Sequence, residues 1–586
     1  MKAIDRFPKG IYLIDFEFHP VDHREGNPPR PVCLAVREYI TGRVWRYWGD
    51  ELQVMKEAPF PCGEGALTVA YFASAEMDCF IALGWELPLN LLDLYVEFRS
   101  RTNGQPTPYG GGLVGALKFY GFPTMESAQK DEMRLLVLSG GPWEAEDKKA
   151  IQDYCQSDVD AMRPLLRFLY SQIDWLRALH RGRYMKAVAR MQSVGVPIDT
   201  DALRACIENW DVIKEKLIAS IDSDFGVFEG QTFKASLWAA YLERNNIQWP
   251  RLDSGSLALD DETFRQQSKA FPQVAPIREL RSALSEMRLA SLTVGCDGRN
   301  RCLLSPFASR TGRNQPSNSK FIFGPSVWMR SLIKPRPGFG VAYIDYAQQE
   351  FGIAAALSDD LAMQEAYRSG DPYLAFAKQA GAVPLHATKK THASEREQFK
   401  ACVLAVQYGM GAEALAQRIG QPVARARQLL ELHRRTYPKF WRWSDATVDE
   451  AQLNGRLWTV FGWEIRPSHP FNPRSLRNFP MQANGAEMLR LACIYLTEAG
   501  IQVCAPVHDA LMIESTLDVL DATVTEAQKL MAEASAAVLG GFELNSDVKI
   551  IRYPGRFMDE RGELMWNKVM GLIEHANTKP LAECQG

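Results

Sequence analysis

The chain has 586 residues, 46% of them hydrophobic and 23% charged, with a formal net charge of −3. That length exceeds what one hydrophobic core serves, so several domains are expected, and the composition is that of an ordinary soluble globular protein. No apolar run is long enough to span a bilayer, and the near-neutral charge neither advertises nor excludes nucleic acid, because a basic groove can be balanced by acidic residues elsewhere.

The start, "MKAIDRFPKGIYLIDFEF", carries charges in its first ten residues and runs straight into a strand pattern, which argues against a signal peptide. Eleven cysteines without CxxC pairs or a His cluster read as reduced cytoplasmic thiols, not as a disulfide framework or zinc site. Residues 1–165 alternate the strands "IYLIDFEF", "PVCLAVREY" and "LTVAYFAS" with helices near 128–137 and 145–170, an α/β layer order. "YLIDFEFHP" sets Asp15 and Glu17 two apart on a strand, hence on one face. In an edge strand they would simply face water. "YFASAEMDCF" supplies Asp78 at a helix start, and "YCQSDVD" sets Tyr154 and Asp158 one helical turn apart. Four carboxylates and a tyrosine from three segments can bind two ions and orient a water against a phosphodiester. Asp93 in "LLDLY" reads as structural.

From about 166 to 300 the chain is helical and charged, as in "IRELRSALSEMRLASL", which suits a helical arm better than a second sheet. A polar loop, "SRTGRNQPSNSK", follows at 309–320, and a strand signal returns at 341–346. There "YIDYAQQEFGIAAALSDD" ends an apolar strand on Asp345 and turns helical, with Glu350 five residues on. A carboxylate at the end of a buried strand is costly unless something pairs with it. It is either a cap or solvated turn residue, or a metal ligand that needs a partner elsewhere.

Helices dominate 360–450. Within "EREQFKACVLAVQYGMG", Arg396, Lys400, Leu404 and Tyr408 recur every four residues along one helical stripe. The stripe is a solvated face or, because it passes from cationic to apolar and aromatic, a cradle for a triphosphate at one end and a base at the other. The final third mixes a β-like turn, "LNGRLWTVFGWEI", with helix at 483–500 and a hairpin, "VCAPVHDALMIES", whose two-residue polar tip carries His508 and Asp509. Asp345 and Asp509, each at the end of a buried apolar strand, could share Mg²⁺, which takes one or two carboxylates plus substrate phosphates.

With these motifs in place, the sequence resembles the family A DNA polymerases. "DYAQQE" is similar to that family's first palm motif, RxxxKx₇YG to its fingers helix and "VHDA" to its last palm motif, while "TGR" at 311–313 and "RSLRNFPMQANGAEM" at 474–488 match two further blocks in the right order. The order DxE, D, YxxxD is similar to the 3′–5′ proofreading exonucleases of the DEDD type, in the Tyr variant. The resemblance implies an α/β, ribonuclease H-like exonuclease at 1–165, then a right-hand polymerase of mixed α+β. Its parts would be a thumb at 166–300, palm at 301–356, fingers at 357–450 and palm again at 451–586. It implies two Mg²⁺ ions per active site, with Asp345 and Asp509 as polymerase ligands and Asp15, Glu17, Asp78 and Asp158 as exonuclease ligands or their supports. Tyr154 would orient the attacking water. Arg396 and Lys400 would hold the triphosphate, Lys400 also protonating the leaving group. Tyr408 would stack near the templating position, and Glu350 would exclude a 2′-hydroxyl. Gln348, Arg313, Arg474, Asn478, Gln482 and His508 would contact primer–template DNA or the incoming deoxynucleoside triphosphate.

Four positions depart from the family pattern. Ala510 stands where an acidic residue is common, Leu404 where an aromatic is usual, Gly352 for a usual Arg, and Tyr373 where a His often helps with phosphate. With the metal pair and the Arg396/Lys400 pair intact, both activities are expected, in a bacterial or phage-encoded cytoplasmic protein with no membrane contact. Because the sequence begins at the exonuclease-like strand, no 5′-nuclease is expected. A nuclease with a degenerate DNA-binding module, and a non-enzymatic nucleic-acid scaffold, are the competing classes.

Overall fold

A computed structural model describes residues 6–124, 127–252, 254–286, 289–324, 326–467 and 471–577. The chain divides into two compact units. The first takes residues 1–195, 304–315 and 341–550, and the second takes 196–303, 316–340 and 551–586.

The first unit opens on a five-stranded sheet built from β1 (Ile11–Pro20), β2 (Pro29–Glu38), β3 (Val44–Trp48), β4 (Leu67–Ala70) and β5 (Leu91–Asp93), in the order β3-β2-β1-β4-β5. β1 runs antiparallel to β2 and parallel to β4, the mixed α/β arrangement expected of this segment. It lies at the centre of the sheet, so Asp15 and Glu17 are not on an edge strand facing water. Alternation along β1 divides its two faces. Tyr12 and Phe16 pack on Phe60, Phe80 and Trp85, while Ile11 and Leu13 join a core with Leu92, Phe98, Ile151 and Leu166. Asp15 and Glu17 continue that second face, towards the helix that carries Tyr154 and Asp158.

The helices of this part include α1 (Ser74–Ala82), α2 (Leu94–Thr102), α3 (Ser127–Leu138), α4 (Ala145–Leu169) and α5 (Trp175–Val194). α4 packs on β1 and β2, and α5 packs on β5. The α5 contact is so close that a Cβ on Gly182 would stand 1.9 Å from the Leu91 carbonyl oxygen, which only glycine permits. α5 therefore belongs to the first unit, although its residues lie in the stretch expected to be a helical arm. Asp78 falls in the middle of α1, not at its start.

The remainder of the first unit centres on β6 (Phe339–Tyr346), α6 (Gln349–Leu357), α7 (Pro372–Gln379), α8 (Ala393–Gln407), α9 (Pro473–Glu498), β7 (Gln502–Val507), β8 (Ala510–Thr516) and β9 (Ser546–Arg552). The strands form a sheet in the order β7-β8-β6-β9. Ala342, Ile344 and Tyr346 are buried on one face of β6, leaving Tyr343 and Asp345 half-buried on the other. His508 and Asp509 are the two residues between β7 and β8, as the hairpin pattern predicts, and His508 has a φ of 57°. The strands β3, β5 and β9 escape the sequence pattern. β5 is only three residues long, and β9 is an edge strand whose exposed face gives it no clean apolar alternation.

The second unit is mostly helical: Thr200–Glu208, Trp210–Phe225, Ala235–Arg244, Asp261–Ala270 and Ala275–Glu286 fall in the stretch expected to be helical, and Glu563–Asn577 comes from the stretch expected to be palm. Trp238 is fully buried and stacks on Tyr241 and Phe264, and Arg281 caps Phe264 at 4.1 Å.

Candidate active site

Two carboxylate sites emerge, both in the first unit. The first lies where β6 meets the β7–β8 hairpin. The Tyr346 N–H donates to the Asp509 carbonyl at 3.2 Å, so Asp345 and Asp509 sit on neighbouring stretches of one sheet despite their separation in the chain. On the other side of β6, Ala347 N–H donates to the Asn545 carbonyl at 2.9 Å and Tyr553 N–H to the Phe339 carbonyl at 3.2 Å. This antiparallel register sets Asp345 directly opposite Asp547, a like-charge pair that costs free energy unless a cation intervenes. Burial, then Asp509, then Asp547 push the Asp345 carboxyl up to about 7. Its Oδ1 is buried without a partner. Burial also raises Asp509, while Arg313, the backbone N–H of Asp509 and His508 pull the other way.

A cavity of about 410 Å³ opens beside Asp509, lined by Arg313, Gln348, Glu350, Tyr373, Leu404, Tyr408 and His508. Burial raises the Glu350 carboxyl against the opposing pull of Arg313 and of hydrogen bonds from Gln482 and Tyr408. These contacts gather most of the residues singled out in the sequence. Arg313 is positioned by the turn before it. Gly312 adopts a φ of 75° with Trp463 and Arg490 against it, and Arg490 donates to the Gly312 carbonyl at 2.6 Å. Arg490 in turn pairs with Glu487 at 2.8 Å in a buried bridge.

The cationic stripe holds as a helix, with Arg396, Lys400 and Leu404 on α8 and Tyr408 as its C-cap. Arg396 is engaged by residues that the sequence does not point to: its Nε donates to Asp371 at 2.6 Å and its Nη1 to Glu397 at 2.7 Å. Arg396 and Lys400 lie 5.5 and 5.9 Å from the Tyr373 ring centroid, so Tyr373 links the cationic pair to the cavity. Arg474 stands apart from that group. It lines a different cavity with Met410, Arg427 and Trp441. Asn478 Oδ1 is buried without a partner.

Two of the four departures, Gly352 and Ala510, sit in close packing. At Gly352 a Cβ would stand 2.4 Å from Leu544 Cδ2 and 3.0 Å from the Tyr367 ring. Tyr367 fills that space and ties down the strand ends, donating to the Ala347 carbonyl and accepting from Asn545 N–H. Ala510 is fully buried, so an acidic side chain there would be buried as well.

The second site lies on β1, α1, α3 and α4. Asp15 Oδ2 is shut off from solvent without a partner, and Cys155 Sγ donates to the Asp15 carbonyl at 3.1 Å. The fourth carboxylate of this group is Glu76 rather than Asp78. Glu76 is 4% exposed and accepts from the Phe16 N–H at 2.7 Å, whereas Asp78 accepts from the Gln192 side chain at 2.7 Å. Two residues along a helix turn the side chain about 200° round its axis, so the two acids face opposite ways. Asp15, Glu17 and Glu76 are all pushed up by burial first, then by carboxylate neighbours at Asp15 and Glu76, and by Cys33 ahead of Asp158 and Glu76 at Glu17. Tyr154 is raised too, by burial and then Asp158. Lys130 on α3 pairs with Asp158 at 2.6 Å. Asp93 is structural, capping α2 and accepting N–H groups of Phe72 at 3.1 Å and Ala73 at 2.9 Å.

Among the described residues, no three Asp, Glu, His or Cys side chains stand as a ready ligand shell. The donors nevertheless suit hard divalent cations: clustered carboxylates, raised together, with an orphaned oxygen in each site. Removing such repulsion should show in the metal-free chain. The folded state holds the Asp345 proton up to about pH 7, whereas an unfolded aspartate releases it near 3.9, so this group's contribution to stability falls as pH rises between those values. Asp345→Asn is expected to raise the melting temperature of the first unit at pH 8 by about 2–4 °C, roughly 1 kcal/mol after allowing for solvent screening, and to leave it unchanged near pH 4. Melting curves with chelator at both pH values test this, and equal shifts at both would contradict it.

Residues 322–551 match the family model described as DNA polymerase family A. Residues 322–551 thus form a DNA polymerase family A domain. The chain is 30% identical over 252 residues to the DNA polymerase of Mycobacterium phage D29, covering 42% of this chain and 41% of that protein. It is 28% identical over 378 residues to DNA polymerase I of Deinococcus radiodurans, covering 59% of this chain and 38% of that protein. The match to the thermostable DNA polymerase I of Thermus aquaticus is 24% over 432 residues, 67% of this chain and 50% of that protein. The chain therefore spans about two fifths to one half of the length of these family A relatives. In fold, the POL domain of Pol1 from M. smegmatis, solved in complex with DNA primer-template and dNTP, is similar at a TM-score of 0.69, with 19% identity over 94% of this chain and 96% of that one.

Proposed function

We propose that this family A polymerase extends the 3′-hydroxyl of a DNA primer along a template and removes mispaired ends in the 3′–5′ direction. The observation that carries the first half is the meeting of Asp345 and Asp509 on adjacent strands, beside a cavity that collects Arg313, Glu350, Tyr373 and Tyr408. The match of residues 322–551 to DNA polymerase family A, and the likeness to phage and bacterial DNA polymerases, support it. The carboxylate cluster of Asp15, Glu17, Glu76 and Asp158 with Tyr154 supports the second half.

Asp345 and Asp509 would hold Mg²⁺ in the polymerase site, and Asp15, Glu17, Glu76 and Asp158 in the nuclease site. When bound, a pair of such ions lowers the pKa of an attacking oxygen and neutralises charge on the leaving one. The chain's own part is positional. Arg396 and Lys400 offer cationic hydrogen bonds to a triphosphate, Arg396 exchanging Asp371 for it. Lys400 is the proton donor proposed for the leaving pyrophosphate. Leu404 and Tyr408 bound the cavity where sugar and base would lie, and Glu350, held by Tyr408 and Gln482, stands in place to refuse a 2′-hydroxyl. Gln348, Arg313, Arg474, Asn478 and His508 are proposed DNA contacts, with phosphate contact the simpler role for the two arginines. Tyr154 would orient the water in the nuclease site.

We assign residues 1–165 to the exonuclease, 166–300 to the thumb, 301–356 and 451–586 to the palm and 357–450 to the fingers. No helix among the described residues is long and apolar enough to cross a membrane, and the bacterial and phage relatives suit work on DNA in a bacterial cytoplasm. Primer extension in Mg²⁺ on matched and mismatched termini is the test. Matched ends should extend at once, and mismatched ends should first shorten. Shortening without incorporation would point to a nuclease alone, and neither activity would overturn both halves.

A further inference from the structure

Lys130 has no part in the motifs that mark the nuclease site, yet its ammonium is embedded in it. Nζ lies 2.6 Å from Asp158 Oδ2, with the lysine side chain 28% and the aspartate 18% exposed, and 5.6 Å from the Tyr154 ring centroid. The same charge reaches the carboxylates of Asp15 and Glu17, where it opposes their mutual repulsion. Asp15 Oδ2 remains shut off from solvent with no partner, and Glu76 is tied to the Phe16 N–H. One ammonium thus acts on three carboxylates, Asp15, Glu17 and Asp158, and satisfies one of them at contact distance.

We propose that Lys130 is the resident counter-ion of this cluster, holding Asp158 in the metal-free chain and competing with a divalent cation for it. The inference rests on the nuclease reading of the same carboxylates. A lysine ammonium is a compact point charge on a flexible stem, so it can neutralise one carboxylate and withdraw along its side chain without moving α3 or α4. Its grip on Asp158 is consistent with the absence, among the described residues, of a preformed three-ligand set. The benefit to the fold is that buried like charges, which would otherwise repel, are partly compensated until metal arrives.

Mn²⁺ titrated into the full chain, with free ion counted by electron paramagnetic resonance, tests this without any turnover. Asp15→Asn with Glu17→Gln marks the N-terminal site by the binding it removes. Lys130→Gln should bind Mn²⁺ at that site about tenfold more tightly than the parent, since one competing unit charge at a partly buried position is gone. Lys130→Arg, which keeps the charge, should bind no more tightly than the parent and guards against a misfolded glutamine variant. Equal or weaker binding by a folded Lys130→Gln, or tighter binding by Lys130→Arg, overturns the inference and leaves the nuclease reading standing. No Asp15-dependent Mn²⁺ site in either the parent or Lys130→Gln overturns both.

Discussion

Asp509→Ala should lower template-directed nucleotide incorporation by about 10³-fold or more while primer–template affinity changes little. The carboxylate at the β7–β8 tip stands next to Asp345 across the ladder, and losing one of the two groups proposed to hold metal would remove charge stabilisation worth several kcal/mol from the reacting phosphate, roughly 4 kcal/mol for that factor. DNA affinity rests on cationic contacts to phosphates instead. Single-turnover extension with a matched primer, alongside a filter-binding measurement, separates the two. Because Ala510 cannot supply a second carboxylate at the tip, little rescue is expected from a neighbouring residue on the hairpin. Incorporation by Asp509→Ala at the parental rate would refute the assignment of this site.

Asp15→Ala combined with Glu17→Ala should abolish shortening of a mismatched primer end, by about 10³-fold, and leave matched extension near the parental rate. The two residues sit in the middle of a central strand, with raised carboxyls and an orphaned oxygen. Replacing them relieves buried repulsion, so lost degradation cannot be ascribed to a weakened fold. An unchanged melting temperature, or a higher one, would accompany the effect. Freeing the last base pairs to reach a separate nuclease site costs a few kcal/mol and least at a mismatch, so the variant should also leave mismatched ends stalled. Persistent degradation of single-stranded DNA by the double variant would contradict the proposal.

How clearly the sequence marks these sites depends on the kind of element that carries them. Asp345 and Asp509 interrupt apolar strands, where a polar residue is conspicuous, and the sheet places them where that signal implied. Arg396, Lys400 and Leu404 announce themselves by helical spacing, but Asp371, which engages Arg396, lies on another element and leaves no periodic trace. The acids of α1 show the limit most clearly. Asp78 and Glu76 differ by two positions in "SAEMD", and composition cannot say which one faces β1. Burial decides it, and only packing reveals burial. Asp547 lies on an edge strand too weakly patterned to be seen, so its opposition to Asp345 depends on a ladder register that local sequence does not encode. Lys130 looks like any surface lysine of an amphipathic helix.

The crowding around Gly352 ties that position to two others. An arginine placed at that position alone would crowd Leu544 and the tyrosine that laces together the ends of two strands. Room for a larger side chain at 352 therefore depends on what stands at 367 and 544, so Gly352→Arg should be tolerated better with a smaller residue at 544 than alone.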